Sequence, residues 1–254
     1  MKARGAWKLA PLSLAIAACA SMPALDQGRL VDLTHTFRDR TLSAPGDAPL
    51  VIEHDARRRD DGHWLATGSI SGPEYAGTHV DAPLRYSENK RGVDEIPLAQ
   101  MVAPIRTLNV ERRCAKDRDH RVSIEDLRDH ERTHGRVPAG AAVLIRTGWS
   151  KHWEQSERYL GGKDEFHFPG LSVELASELA ARKVDLVGID TAGIDPGNAV
   201  EPAAQRVLAD ANLPCLENLA IPEGFPAVGA TLIALPMKIE RGSGSPTRVV
   251  AIVP

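Results

Sequence analysis

The sequence predicts a single α/β domain built on a mixed β-sheet, and three observations carry that reading. Short β-branched apolar runs bounded by Gly or Pro recur along the chain. Between residues 140 and 217 they alternate with helical patterns, which calls for some parallel pairing. Before that region strand and loop outweigh helix, so a mixed sheet is expected rather than a doubly wound one. The 18 prolines and 21 glycines suit a loop-rich protein whose site is assembled from loops.

The expected strands are Arg29–Leu33, Trp64–Ile70, Ile105–Val110, Ala142–Arg146, Val184–Ile189, Cys215–Glu217, Ala230–Leu235 and Arg248–Val253. Three helices have start signals. Ser123-Ile124-Glu125-Asp126 reads as a capping box for a helix ending near Gly135. Ser172 is placed to cap Val173–Arg182, and Pro202 suits the first turn of a helix running to Ala211 because its missing N–H has no partner there. Ser150–Lys163 is polar with interspersed aromatics, and fits either a helix followed by a loop or a flap over a site.

At the N-terminus, Lys2, Arg4 and Lys8 precede an apolar run from Leu9 to Ala18 that ends at Cys19. This is the pattern of a removable signal peptide over residues 1–18. Ile16-Ala17-Ala18-Cys19 resembles a bacterial lipobox, with Cys19 lipidated; a plain secretory cleavage near Ala20-Ser21-Met22 is the alternative. The expected organisation is signal peptide 1–18, tether 19–27 and domain 28–254, exported to the periplasmic side and held to a membrane only through that lipid. The run is shorter than the ~20 residues a spanning helix needs. Loss of three cationic side chains takes the formal net charge from −3 to −6, leaving 28 basic against 34 acidic groups. That balance gives no reason to expect nucleic acid as a partner. About 235 residues remain, enough for one large domain. Of the three cysteines, Cys114 and Cys215 are then left, too few for a disulfide framework.

Chemistry concentrates in Gly77-Thr78-His79-Val80-Asp81-Ala82-Pro83. In an extended segment, positions i and i+2 point to one side, so His79 and Asp81 are placed to converge on one metal ion or one substrate. Asp190 and Asp195 flank a Thr-Ala-Gly-Ile turn, where turn geometry is the first expectation and the site the second. Trp64, Trp149 and Trp153 are candidates for the wall of an aryl pocket, or for ordinary core and loop contacts.

The chain resembles the Putative cyclase family, which includes bacterial kynurenine formamidase and isatin hydrolase. The likeness runs through Val31-Asp32-Leu33-Thr34-His35, Gly77–Pro83, Val93–Leu98 and Arg146–Trp149. It continues through Phe168–Ser172, Gly188–Thr191, Leu213–Leu219 and Ala234–Lys238. It implies a swivelling β/β/α architecture, homo-oligomerisation, and metal-dependent hydrolysis of an amide or lactam bond in a small molecule, of the arylformamidase (N-formylkynurenine) type.

The resemblance also implies site residues, and here the chain departs from its relatives. Where the family has H-x-G-T-H-x-D-A-P-x-H, this chain has Tyr75 at the first histidine and Arg85 at the last; His79 and Asp81 match ligands. Gln205 stands where a further family histidine belongs, and Glu217 matches a glutamate ligand. The expected metal set is His79, Asp81 and Glu217, one nitrogen and two oxygen donors for one divalent ion, zinc or manganese. The expected catalytic set is Arg85, Gln205 and Glu217, with Glu217 or Gln205 orienting water. Tyr75, Arg85 and His167 are expected on the substrate side. Arg85 stays protonated and cannot serve as a base, but suits a substrate carboxylate or an oxyanion. Glu74, His35, His54 and His63 are further residues within reach of the early motif, each more naturally a surface or structural group. A second reading stays open: a binding protein that has lost the metal and uses Arg85 to hold an anionic small molecule.

Overall fold

The computed structural model describes residues 28–39, 41–43, 48–162 and 165–254. The expected signal peptide, Cys19 and the expected tether therefore lie outside the described residues. In chain order the strands are β1 (Arg29–Asp32), β2 (Val51–Arg58), β3 (Trp64–Ser71), β4 (His79–Asp81), β5 (Val102–Asn109), β6 (Arg121–Val122), β7 (Ala142–Arg146), β8 (Gly170–Leu171), β9 (Leu186–Ile189), β10 (Cys215–Glu217), β11 (Val228–Pro236) and β12 (Gly244–Val253). The helices are α1 (Leu98–Met101), α2 (Glu111–Cys114), α3 (Ile124–His134), α4 (Ser156–Leu160), α5 (Val173–Ala181) and α6 (Ala203–Asp210). Among the described residues no helix is long and apolar enough to cross a membrane.

The main sheet runs β1-β12-β11-β5-β7-β9-β10-β4, and β4 also pairs with β12. Seven strands therefore close on themselves, with β1 extending the edge of β12 beyond β4. β5, β7, β9 and β10 are parallel, and the remaining pairs are antiparallel. This is the mixed sheet the alternating pattern called for. The residues inside the closed sheet and those outside it alternate along each strand, as a pleat requires. In β7, Ala142 and Leu144 pack in the interior core with Val80 and Leu216, while Val143 and Ile145 pack outward with Leu175, Leu179 and Leu208 of the helical layer.

Helix starts follow their caps. The Ser123 hydroxyl accepts from the Asp126 N–H, and the Asp126 carboxylate accepts from the Ser123 N–H in return. Ser172 accepts from the Leu175 N–H. The start of α6 is satisfied from a distance: Asp195 accepts from the N–H groups of Ala204 and Gln205 at 2.8 and 3.0 Å. The Ser150–Lys163 segment resolves into a 3-10 turn, Trp149–His152, and α4, which ends at Gly161 in the left-handed conformation; Lys163 lies outside the described residues.

Two differences from the expected strands stand out. β2 is a strand where none was expected, because its charged and polar residues show no apolar face. It forms a two-stranded sheet with β3, exposed along nearly its whole length on both sides. The strand expected from Val184 begins at Leu186, since Lys183 takes a positive φ of 58° that ends α5 and turns the chain.

Candidate metal centre

The site is made by register. β4 and β10 pair antiparallel with His79 opposite Glu217, Val80 opposite Leu216 and Asp81 opposite Cys215. Directly opposed residues share a face, so His79, Asp81 and Glu217 project together on the side away from the interior core, which Val80 and Leu216 fill. There α6 lies over them and brings Gln205.

Gly77 fixes the entry to this strand. Its φ is +63°, and an added Cβ would sit 2.7 Å from the Phe37 ring. Its carbonyl accepts from both His79 Nδ1, at 2.8 Å, and Asn218 Nδ2, at 2.7 Å. A carbonyl only accepts, so Nδ1 carries the proton and Nε2 is left to face the acids. Thr78 ties the two strands from the other side, donating to the Asn218 carbonyl at 2.6 Å.

His79 Nε2 lies 3.2 Å from Asp81 Oδ1 and 3.4 Å from Glu217 Oε2, with no aligned hydrogen bond of its own. The donor atoms of the three residues all lie within 4.8 Å of one another, and all three side chains are buried. Among the described residues this is the one group of at least three His, Cys, Asp or Glu side chains that meets in this way. An orphaned imidazole nitrogen aimed between two carboxylates fits a single divalent ion with positions left open for water or substrate.

Two further side chains already touch the acids. Gln205 Nε2 donates to Asp81 Oδ2 at 2.5 Å and to Glu217 Oε1 at 3.1 Å. Arg85, in a 3-10 turn just after β4, donates from Nη1 to Asp81 Oδ1 at 2.5 Å. Its guanidinium lies 3.5 Å from the centroid of the Tyr75 ring, a cation–π stack that holds it in place. Ile194 N–H completes the set by donating to Glu217 Oε1.

The electrostatics follow from burial and these contacts. Burial disfavours the imidazolium of His79, yet Asp81 and Glu217 outweigh it and raise the group to about 10. Burial would lift Asp81, but His79 and Arg85 hold it below the usual carboxylate range. Glu217 is pushed up, by burial and by Asp81 beside it.

His79, Arg85, Gln205 and Glu217 line a small cavity of about 130 Å³ together with Tyr75, Tyr86, Phe166, Phe168, Leu160 and Leu42 among others. That volume is close to the ~150 Å³ in which an apolar cavity holds a benzene ring. A larger open cleft of about 930 Å³ beside Trp149 and Lys151 lies elsewhere and, among the described residues, holds no comparable donor group. Convergent buried donors, not volume, place the chemistry in the smaller one.

Several expected residues are elsewhere. His167, expected on the substrate side, turns away and pairs through Nδ1 with both oxygens of Asp119 at 2.9 Å. Its neighbours Phe166 and Phe168 line the cavity instead. Glu74 accepts from Ser243 and Gly244 and does not reach the metal ligands. Asp190 is spent on the turn after β7, accepting from Thr147, Gly148 and Trp149. Trp64 is exposed on β3, Trp149 donates to the Tyr159 carbonyl, and Trp153 stacks on His35. None of the three tryptophans lines the aromatic cavity. His54 and His63 belong to the exposed hairpin region. The sequence reading missed Tyr86 and Phe166 as cavity walls and Asn218 as a clamp on Gly77; Asn218 has a signal, its place next to Glu217 in the matched L-E-N.

The Putative cyclase family profile matches residues 31–196. An isatin hydrolase of Roseibium aggregatum is 32% identical over 241 residues, covering 89% of this chain and 92% of the relative. A kynurenine formamidase of Salinibacter ruber is 28% identical, covering 87% and 96%. The structure of isatin hydrolase A from Ralstonia solanacearum superposes with a TM-score of 0.83 at 31% identity, covering 98% of this chain and all of that one. The closed mixed sheet, the donor group at its β4–β10 edge and these matches lead to one conclusion: the chain belongs to the Putative cyclase family.

Proposed function

We propose that this protein hydrolyses a carbon–nitrogen bond, amide or lactam, in a small aromatic substrate, in the manner of an arylformamidase or isatin hydrolase. One observation carries the reading: His79, Asp81 and Glu217 converge on one point, and His79 and Glu217 open onto a cavity walled by Tyr75, Tyr86, Phe166 and Phe168. These three residues would hold one divalent ion, zinc or manganese, which supplies Lewis acidity and acidifies water when bound.

The chain's own groups have separable tasks. Phe166, Phe168 and Tyr86 take the aryl ring and exclude bulk water. Arg85, fixed against Tyr75, stabilises negative charge developing on the carbonyl oxygen, the role an always-protonated guanidinium suits. Glu217, whose Oε1 accepts from Gln205 and from the Ile194 N–H, orients the attacking water. Gln205 orients Glu217 through its 3.1 Å hydrogen bond.

A second reading has its own observation. Both oxygens of Asp81 already accept, from Arg85 and from Gln205, an arrangement that would also serve a metal-free binding protein for a small anion. The test is hydrolysis of isatin and of N-formylkynurenine by chelator-treated protein, with zinc or manganese restored. Turnover that depends on added ion supports the hydrolase; none with either ion leaves the binding protein.

Two wider proposals accompany this one. Export and a lipid anchor at Cys19 rest on the apolar run that ends there. Homo-oligomerisation is supported by the β2–β3 hairpin, whose strands among the described residues pair only with each other and expose Trp64 and Ile70; a hairpin bare on both faces is marginal in water without something to cover it.

A further inference from the structure

The charges around the three donors do not balance once an ion is added. Asp81 and Glu217 carry at most two negative charges, and an imidazole coordinates as a neutral group. A divalent ion would cancel those two charges. Arg85 then remains, with Nη1 2.5 Å from Asp81 Oδ1 and its side chain only 16% exposed. Guanidinium does not deprotonate in proteins. Among the described residues no third carboxylate lines the cavity. The next acid, Asp195, is engaged with the first N–H groups of α6. With neutral water on the ion, one uncompensated positive charge would thus be buried, and burial makes such an excess costly.

Resting on the metal-centre reading above, we infer that Arg85 makes retention of a divalent ion at His79, Asp81 and Glu217 conditional on a small anion in the adjoining cavity, with aryl carboxylates the class that fits. The anion supplies the missing negative charge. The ring is specified by Tyr75, Tyr86, Phe166 and Phe168, and by a space of about 130 Å³. Arg85 has one ion-pair partner among the described residues, Asp81, so its fork keeps donors for a second carboxylate. The ion is then held more weakly in the absence of ligand, and ion and anion favour each other's binding. Ion-free, Arg85 and Gln205 keep the two acids satisfied.

The experiment is titration calorimetry of chelator-treated full chain with Zn²⁺ or Mn²⁺, in buffer alone, with benzoate, and with benzamide as the neutral isostere. An opposite charge within reach shifts a buried ionic equilibrium by roughly tenfold or more, so benzoate tightens ion binding by that factor and benzamide does not. Arg85→Met, which keeps the stem and removes the charge, binds the ion tighter than wild type by a similar factor and gains nothing from benzoate. Arg85→Lys keeps the charge and the benzoate dependence, and circular dichroism of each variant establishes that it folds. Equal effects of benzoate and benzamide, or indistinguishable ion affinities for wild type and Arg85→Met without a benzoate effect, overturn the inference and leave the metal centre standing. No ion bound by any of the proteins, with or without benzoate, overturns the metal-centre reading as well.

Discussion

Replacing Asp81 should cost the ion-free protein more than its size suggests. Its carboxylate is 2% exposed and accepts at 2.5 Å from both Arg85 and Gln205, with His79 Nε2 3.2 Å away. Asp81→Ala leaves a largely buried guanidinium without its ion-pair partner. Two unit charges ~4 Å apart interact by about 4 kcal/mol at an effective dielectric near 20. Removing one partner of a buried pair typically costs about 3–5 kcal/mol. Because Arg85 retains some exposure and the Tyr75 stack, the lower end applies, and we expect about 3 kcal/mol. Arg85→Met alone should cost about 1–2 kcal/mol, since Asp81 keeps Gln205 and His79.

The two substitutions must then be non-additive. With its ion-pair acid gone, loss of the guanidinium relieves the double variant, and the cycle should return a coupling of about 2 kcal/mol. Urea unfolding of the four proteins at neutral pH, after chelator treatment, measures it. Additivity within about 0.5 kcal/mol would refute the reasoning, because it would mean that Arg85 and Asp81 do not share one desolvated environment.

Four other outcomes are expected. Gly77→Ala forces a Cβ 2.7 Å from the Phe37 ring at a φ of +63°, and should lower stability by about 2 kcal/mol or more in urea melts. Glu217→Gln should abolish ion-dependent turnover of isatin and N-formylkynurenine while leaving the circular dichroism spectrum unchanged; retained turnover would remove Glu217 from the chemistry. Burial lowers His35 from 6.5 to about 4, so between those pH values the unfolded chain takes up a proton that the folded chain refuses. Stability therefore falls as pH drops through that window, and His35→Phe, which keeps a ring on Trp153, should flatten this part of a stability–pH curve. Trp64→Ser combined with Ile70→Ser should lower the mass found by light scattering if the exposed hairpin joins copies; an unchanged mass would set the hairpin aside as the joint.

The parts of this molecule that the sequence revealed are the local ones. Capping at Ser123 and Ser172 depends on residues three apart, and the parallel core strands carry their own β-branched runs. His79 and Asp81 could be paired because a strand puts i and i+2 on one face. Glu217 could not be added from spacing, since its place opposite His79 is a non-local register; only family likeness indicated it. The error over His167 has the same physics as the success at His79. In Phe166-His167-Phe168 alternate residues face the cavity, so the two aromatics point in and the histidine between them reaches Asp119. β2 was invisible because a strand that buries neither face has no hydrophobic period to read. The distant cap from Asp195 to α6, which sets where Gln205 starts, leaves no short-range trace either.

Anomalous scattering from crystals soaked with manganese and benzoate tests the central claim most directly. The account expects one peak per chain, bounded by His79 Nε2 and the carboxylates of Asp81 and Glu217, and its loss in Asp81→Ala. A map with no peak at that point, or a peak that survives the substitution, would contradict it.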